Sequence, residues 1–154
     1  MIPFQGQSDR RSRILLVDDE NAVRNSLYAL LEGDGYEVLA ANNGLDGLVI
    51  CRQSTRPIDL LVTDYNMPEM TGLELAHECL RVCSGLSILY VSGSRPDEEL
   101  QADLQACKRA FLAKPFRGND LLRTARELLQ MESAGPLSED LRKRPVYRKR
   151  PAAS

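Results

Sequence analysis

Five polar residues stand where short apolar runs of the sequence end, and their types suit the binding of metal ions and phosphoryl groups. Hard divalent cations prefer carboxylate oxygens, and a lysine ammonium is a point charge suited to a phosphoryl oxygen. Ionised carboxylates held close together repel one another, so either protonation or a cation such as Mg²⁺ must relieve them. The five residues are Asp18, Asp19, Asp64, Ser92 and Lys114.

The segments around these residues alternate between two patterns, which predict five strands and five helices. Because the strands are almost continuously apolar, we expect a parallel sheet covered by helices on both faces, an α/β fold. Right-handed crossovers make such a sheet doubly wound, and its ligands bind at the carboxyl ends of the strands. The strands are predicted at 13–17, 37–41, 59–63, 87–92 and 109–114, and the helices at 20–33, 44–54, 71–83, 96–107 and 118–131.

The predicted site has no glycine-rich loop of the kind that cradles a nucleotide. A phosphoryl group bound there is then expected on the protein itself, since a carboxylate can attack phosphorus and form an aspartyl phosphate. Asp64 follows a buried strand, which is a rigid mount for chemistry that depends on positioning. Taken alone, Asp64 could simply form a turn, and the pair Asp18–Asp19 could cap the N-terminus of a helix. The presence of Ser92 and Lys114 at the same predicted edge of the sheet favours a phosphoryl-binding site instead.

Four motifs, in order along the chain, resemble the receiver domain of two-component response regulators. They are ILLVDDE (14–20), TDYNMPEMTG (63–72), LYVSGS (89–94) and FLAKPF (111–116), and with the strand–helix pattern the resemblance covers about residues 13–131. It implies a flavodoxin-like five-stranded parallel sheet of order 2-1-3-4-5 with five helices. It also implies a phosphoacceptor signalling protein, similar to the chemotaxis regulators, rather than an enzyme.

The resemblance implies a role for each site residue. Asp64 would accept the phosphoryl group, and Mg²⁺ would be bound by Asp18, Asp19, Asp64 and the backbone carbonyl of Asn66. Lys114 would pair with Asp64 at rest and with the phosphoryl group afterwards.

The resemblance also implies a second set of residues that change position when Asp64 is phosphorylated. Ser92 would turn to hydrogen-bond the phosphoryl group, and Phe111 would pack inward when it does so. Lys114 and Pro115 would be joined by a cis peptide bond.

The ends of the chain differ in composition from its acidic middle. We expect a flexible segment at 1–12, the receiver domain at 13–131, and a basic, disordered tail at 132–154 with too few residues for an output domain. These features predict a stand-alone receiver. Without a signal peptide or an apolar run long enough to span a membrane, we expect a cytoplasmic protein.

The expected partners are a sensor histidine kinase or phosphotransfer protein and an unknown downstream protein. A homodimer through the fourth helix, fifth strand and fifth helix is a further expectation, whereas the acidic body argues against nucleic acid. Three alternatives stay open: an interaction module that is not phosphorylated, a regulator whose basic tail contacts nucleic acid, and an enzyme of the same architecture.

The four cysteines have no spacing typical of a disulfide framework. Cys79 and Cys83 stand one helical turn apart, close to His77, which raises the question of a metal site. With a single histidine and no second cysteine pair, the sequence favours the simpler interpretation that these cysteines are small buried hydrophobic residues.

Overall fold

A computed structural model describes residues 10–131 and the backbone of residues 147–148. The predicted terminal segments at 1–12 and 132–154 otherwise lie outside the described residues. The strands are β1 Arg13–Val17, β2 Glu37–Ala41, β3 Leu60–Asp64, β4 Ser87–Ser92, β5 Arg109–Ala113 and β6 Tyr147–Arg148. The helices are α1 Asn21–Gly33, α2 Gly44–Gln53, α3 Gly72–Val82, α4 Glu98–Asp103 and α5 Gly118–Gln130.

The sheet is parallel, and its first five strands have the predicted order β2-β1-β3-β4-β5. Its register aligns the carboxyl ends of the central strands: Val17 pairs with Thr63, Asp64 with Val91, and Ser92 with Ala113. The residues that follow or end these strands therefore meet at one edge. The short β6, which the sequence did not predict, pairs with Phe111 and Leu112 of β5.

The core consists of two apolar layers, one on each face of the sheet. Along β1, Leu15 and Val17 belong to the layer beneath α2, α3 and α4, while Ile14 and Leu16 belong to the layer beneath α1 and α5. This alternation follows from the two-residue period of a strand. Every residue of β3 and β4 is buried, which confirms the prediction of a sheet covered on both faces and gives the site a rigid base.

Helix α4 is much shorter than the predicted helix at 96–107. Asp97 is its N-cap, with a side chain that accepts a hydrogen bond from the N–H of Leu100, so Pro96 lies outside the first turn. After Asp103 the chain tightens into turns, and Lys108 has a positive φ of 63°. The helix therefore starts two residues later and ends four residues earlier than the predicted 96–107.

The other helix starts confirm one prediction and exclude one alternative. Thr71 and Glu74 form the predicted capping box at the start of α3. Helix α1 instead begins after Glu20, which makes no side-chain capping bond, so neither Asp18 nor Asp19 is the N-cap. Among the described residues, no helix combines the length and apolar character needed to cross a membrane.

Candidate functional site

Three aspartates meet at the carboxyl edge of the sheet. Asp18 follows β1 and is fully buried, Asp64 ends β3 and is 8% exposed, and Asp19 is exposed. Each offers a carboxylate oxygen, and these atoms lie within 4.8 Å of one another. The register of β1 and β3 brings together residues that are 46 positions apart in the chain, such as Asp18 and Asp64.

Lys114 places its ammonium group between the two buried carboxylates. Its Nζ lies 3.1 Å from Oδ2 of Asp18 and 3.7 Å from Oδ1 of Asp64, so the shorter contact is with Asp18. The Lys114 N–H donates to the carbonyl of Ser92, which extends the β4–β5 pairing to the site. The peptide between Lys114 and Pro115 is cis.

The carboxyl group of Asp64 is electrostatically unusual. Burial raises its pKa to about 6, and the nearby Asp18 and Asp19 act in the same direction, while Lys114 opposes the shift. Removal from water and like charges both penalise an ionised carboxylate. This group therefore has the strongest need for a further positive charge at the site.

The hydroxyl group of Ser92 is engaged in two hydrogen bonds. It accepts a bond of 3.1 Å from Nδ2 of Asn66 and another of 3.1 Å from the backbone N–H of Ser94. Asn66 also reaches the hydroxyl of Ser94 at 3.5 Å. Ser92 and Asn66 are thus linked directly, and both bonds use the Ser92 oxygen as acceptor, which leaves its O–H to donate to another group.

Phe111 lies behind this edge rather than in it. Its side chain is fully buried in the layer beneath α2, α3 and α4. In the sheet, Phe111 of β5 pairs with Tyr90 of β4. It is linked to the site along β5, which leads to Lys114, and through the neighbouring β4, which carries Ser92.

Gly72 is a structural requirement of the site that sequence reasoning missed. A Cβ atom there would lie 2.4 Å from the backbone oxygen of Asp64, closer than atoms can approach. The Gly72 N–H donates to the carbonyl of Tyr65 at 2.8 Å, which fixes the loop after Asp64. The available signal was a glycine next to the predicted N-cap Thr71, where a helix start would otherwise favour a side chain.

The first turn after β1 is also held by contacts that the sequence did not reveal. Oδ1 of Asp18 accepts a hydrogen bond from the N–H of Glu20, and Arg24 donates to the carbonyl of Asp18. These bonds leave Oδ2 of Asp18 for Lys114. The arrangement holds one acid in place while Asp19 stays exposed.

The donor set fits a hard divalent cation. All three groups are carboxylates, which Mg²⁺ prefers, and the exposure of Asp19 leaves room for the waters that Mg²⁺ retains. Within residues 10–131 this is the only cluster of at least three potential metal ligands that is this compact. An acidic cluster of this kind is typical of the Mg²⁺ site of receiver domains.

The family model of the response regulator receiver domain matches residues 14–126, so the chain belongs to this family. It is a receiver domain with an acidic pocket formed by Asp18, Asp19 and Asp64 and completed by Lys114. Receiver domains are phosphoacceptor signalling modules rather than true enzymes, and their partners are histidine kinases.

Individual relatives place the domain in larger proteins. The response regulator MprA of Mycobacterium leprae is 37% identical over 129 residues, which are 84% of this chain and 56% of that protein. The sensor kinase CckA of Brucella abortus is 35% identical over 122 residues, 77% of this chain and 13% of the kinase. The chain thus spans about half the length of the response regulators it resembles and much less of the kinase.

Solved structures agree with the fold. The receiver domain of the hybrid histidine kinase CckA is 32% identical with a TM-score of 0.67, over 77% of this chain and 100% of that one. A CheY-like receiver protein from Methanospirillum hungatei JF-1 is 30% identical with a TM-score of 0.70, over 78% and 94% of the two chains.

Proposed function

We propose that this domain accepts a phosphoryl group on Asp64 from a phosphohistidine of a sensor histidine kinase or phosphotransfer protein. The observation that supports this most directly is the position of Asp64. It ends a fully buried strand, within 4.8 Å of two other carboxylates and 3.7 Å from the ammonium of Lys114. Such a carboxylate is held rigidly and is poorly neutralised, and both properties favour a nucleophile that gains from binding a cation and a phosphoryl group.

The transfer balances as a single displacement at phosphorus. A carboxylate oxygen of Asp64 forms a bond to phosphorus while the phosphorus–nitrogen bond of the donor breaks, and the donor imidazole leaves with the electron pair. The product is an aspartyl phosphate. Later attack by water on phosphorus releases inorganic phosphate and restores the carboxylate.

Asp18, Asp19, Asp64 and the backbone carbonyl of Asn66 would hold Mg²⁺ at this site. When bound, the cation would offset the charge of the three carboxylates and of the phosphoryl oxygens. Lys114 is positioned to shift from Asp18 toward a phosphoryl oxygen, because its Nζ already lies between Asp18 and Asp64.

The signal would pass from Ser92 to the surface through β4 and β5. Ser92 turns to donate its O–H to the phosphoryl group, and the buried Phe111 adjusts its packing beside β4. The face formed by α4, β5 and α5 then binds a downstream protein or a second copy of the chain.

Phosphorylation by a small donor tests the proposal without requiring the cognate kinase. The protein is incubated with acetyl phosphate and Mg²⁺, and the intact mass is compared among wild type, Asp64→Asn and Asp46→Asn. Asp46 is an exposed aspartate in the first turn of α2 and serves as a matched control. We expect one phosphoryl adduct, labile to hydroxylamine, on wild type and Asp46→Asn and none on Asp64→Asn.

An adduct that persists on Asp64→Asn, or one that forms equally well in excess EDTA, would contradict the assignment. Wild type that gains no adduct, although folded, would favour the alternative of a receiver-like interaction module that is not phosphorylated. A pull-down with beryllofluoride-treated and untreated protein then tests the switching surface, because beryllofluoride mimics the phosphoryl group. A partner retained equally by both forms would contradict switching.

A further inference from the structure

Three thiols lie at the edge of the sheet opposite the acidic site. Cys51 is in the last turn of α2, Cys79 is near the end of α3, and Cys83 directly follows α3. Because these helices lead away from the carboxyl edge of the sheet, their last turns lie near the opposite edge. None of the three cysteines is used by the proposed phosphoryl chemistry.

Cys51 is the centre of this group. Its thiol lies close enough to the thiols of both Cys79 and Cys83 to interact with them. The three sulfurs do not form a compact triangle. Among the described residues, the three aspartates are the only group of at least three potential metal ligands whose ligand atoms all lie within 4.8 Å of one another. His77, which the sequence placed near a hypothetical metal site, contacts Asp103 instead. The geometry therefore suits pairwise thiol chemistry better than a metal ion.

A cleft of about 480 Å³ gives small molecules a route to two of the three thiols. Cys51 and Cys83 both line it, together with polar residues such as Ser54, Arg56 and Asp59, whereas Cys79 does not. Cys51 is only 2% exposed, and Cys83 is partly exposed. The cleft is thus accessible to a small polar oxidant.

The surroundings of Cys51 favour its thiolate. The neighbouring thiols of Cys79 and Cys83, together with the positive charge of Arg52, lower the pKa of Cys51 to about 7, against the effect of burial. The pKa of Cys79 is raised by its hydrogen bond with Cys51 and by burial, and that of Cys83 is raised mainly by burial. A thiolate next to a neutral thiol is the arrangement that supports attack followed by resolution.

We propose that Cys51 and Cys83 form a reversible dithiol–disulfide pair that reacts with hydroperoxides and, when oxidised, cross-links α2 to the end of α3. The Cys51 thiolate attacks the outer peroxide oxygen, the O–O bond breaks, and the departing alkoxide or hydroxide takes a proton. The resulting sulfenic acid is attacked by the Cys83 sulfur, which loses its proton, and water leaves. Two thiols are oxidised and one hydroperoxide is reduced to an alcohol or water.

Cys83 is a better resolving partner than Cys79 for two structural reasons. It is the C-cap of α3, with φ −124° and ψ 88°, so its backbone is already outside the helix and can adjust to the narrow geometry of a disulfide. It also faces the cleft, while Cys79 is fully buried in the core layer and fixed within the helix. The pairing does not depend on phosphorylation of Asp64.

The test uses the full chain with Cys107→Ser as background, because Cys107 is exposed and could form links between molecules. The protein is treated with hydrogen peroxide or tert-butyl hydroperoxide under native conditions and digested without reduction. We expect the monomer to lose two hydrogen atoms, a peptide map that joins Cys51 to Cys83, and full recovery of both thiols with dithiothreitol. Cys79→Ala is expected to retain the same link but to form it more slowly, because it loses the thiol that contributes most to lowering the pKa of Cys51.

In Cys51→Ala the oxidation of Cys83 is expected to slow by about tenfold or more, because a thiol is a far weaker nucleophile than a thiolate. Circular dichroism checks that each variant is folded, and Asp64→Asn is expected to form the disulfide at the wild-type rate. A link between Cys51 and Cys79, over-oxidation without a disulfide, or thiols inert to peroxide in the folded protein would each overturn the proposal. The last result would leave the cysteines as buried hydrophobic residues.

Discussion

Asp64 and Asp103 are equally removed from solvent, but their chemistry is opposite. Their side chains are 11% and 10% exposed, and each lies near one cation, Lys114 at 3.7 Å and Arg109 at 3.2 Å respectively. Burial raises the pKa of Asp64 to about 6, with Asp18 and Asp19 adding to the shift. Asp103 has a lowered pKa although burial acts on it in the opposite direction.

The difference lies in the hydrogen-bond donors around each carboxylate. Asp103 accepts a bond of 2.6 Å from the hydroxyl of Tyr90 and one of 3.2 Å from Arg109, and it contacts Nε2 of His77 at 3.1 Å. Asp64 instead lies near the ammonium group of Lys114 and near the carboxylates of Asp18 and Asp19, which repel its charge. A carboxylate whose charge is satisfied by donors is an anchor, whereas one that is rigid but unsatisfied is poised to bind a cation and react.

The largest expected effect on stability comes from removing Asp103, the carboxylate that anchors Tyr90 and Arg109. Asp103→Ala leaves the Tyr90 hydroxyl and the Arg109 guanidinium without their carboxylate in a mostly buried place, which is expected to lower the free energy of unfolding by about 3 kcal/mol. Urea unfolding monitored by circular dichroism measures this value. Glu99→Ala, an exposed acid in the same helix, is the control and is expected to change stability little. A loss no larger than that of the control would show that Asp103 is not an anchor.

Magnesium is expected to stabilise the folded protein by binding at Asp64, and Asp103 is expected to play no part in this effect. A ligand that binds only the folded state adds about 1.4 kcal/mol when its concentration is ten times the dissociation constant. We expect this gain for wild type, the same gain for Asp103→Ala, and a clearly smaller one for Asp64→Asn, measured as urea midpoints with and without MgCl₂. Calcium chloride and sodium chloride at matched ionic strength separate binding from screening. Equal gains in all three proteins would contradict a site at Asp64.

Neutralising Asp64 is expected to stabilise the metal-free protein. The pKa of this group is raised on folding, so its ionised form opposes folding: the favourable contribution is complete below the unfolded value of 3.8 and is lost as the pH rises through about 6. At pH 7.5 in EDTA, Asp64→Asn is therefore expected to exceed wild type by about 1 kcal/mol, after allowance for partial solvent screening. Unfolding at pH 7.5, 6 and 4.5 measures the gap, and a gap that widens toward low pH would refute this origin.

Most of the reactive site, but not the anchor, could be predicted from the sequence. Each of Asp18, Asp64, Ser92 and Lys114 lies at or next to the end of a recognisable apolar strand, and a parallel sheet must bring those ends to one edge. The prediction therefore needed only local patterns and one topological rule. The capping box of α3 was equally local, since Thr71 and Glu74 are three residues apart.

The anchor depends on contacts that no local pattern encodes. Asp103, Tyr90, His77 and Arg109 come from four different elements, and they meet at the end of α4. The sequence predicted a longer helix there, because it showed the acidic first turn but not the tight turns that follow Asp103. The contact of Cys51 with Cys79 and Cys83 was missed for the same reason, as it depends on how two helices pack.

The smallest expected effect comes from Tyr65, which directly follows Asp64 and reaches toward α4. Its hydroxyl donates to the Asp97 carboxylate at 2.9 Å, and its ring packs edge-on against Tyr90 at a centroid distance of 6.3 Å. Tyr65→Phe keeps the ring and removes one hydrogen bond at the partly exposed start of α4, so the free energy of unfolding is expected to fall by about 0.5–1 kcal/mol. Tyr28→Phe, whose hydroxyl reaches Glu32 only at 3.5 Å, is the control. A loss of stability near that of Asp103→Ala would mean that the contacts at the two ends of α4 stabilise the protein cooperatively. The stabilising network around Asp103 would then include Tyr65, the residue next to Asp64.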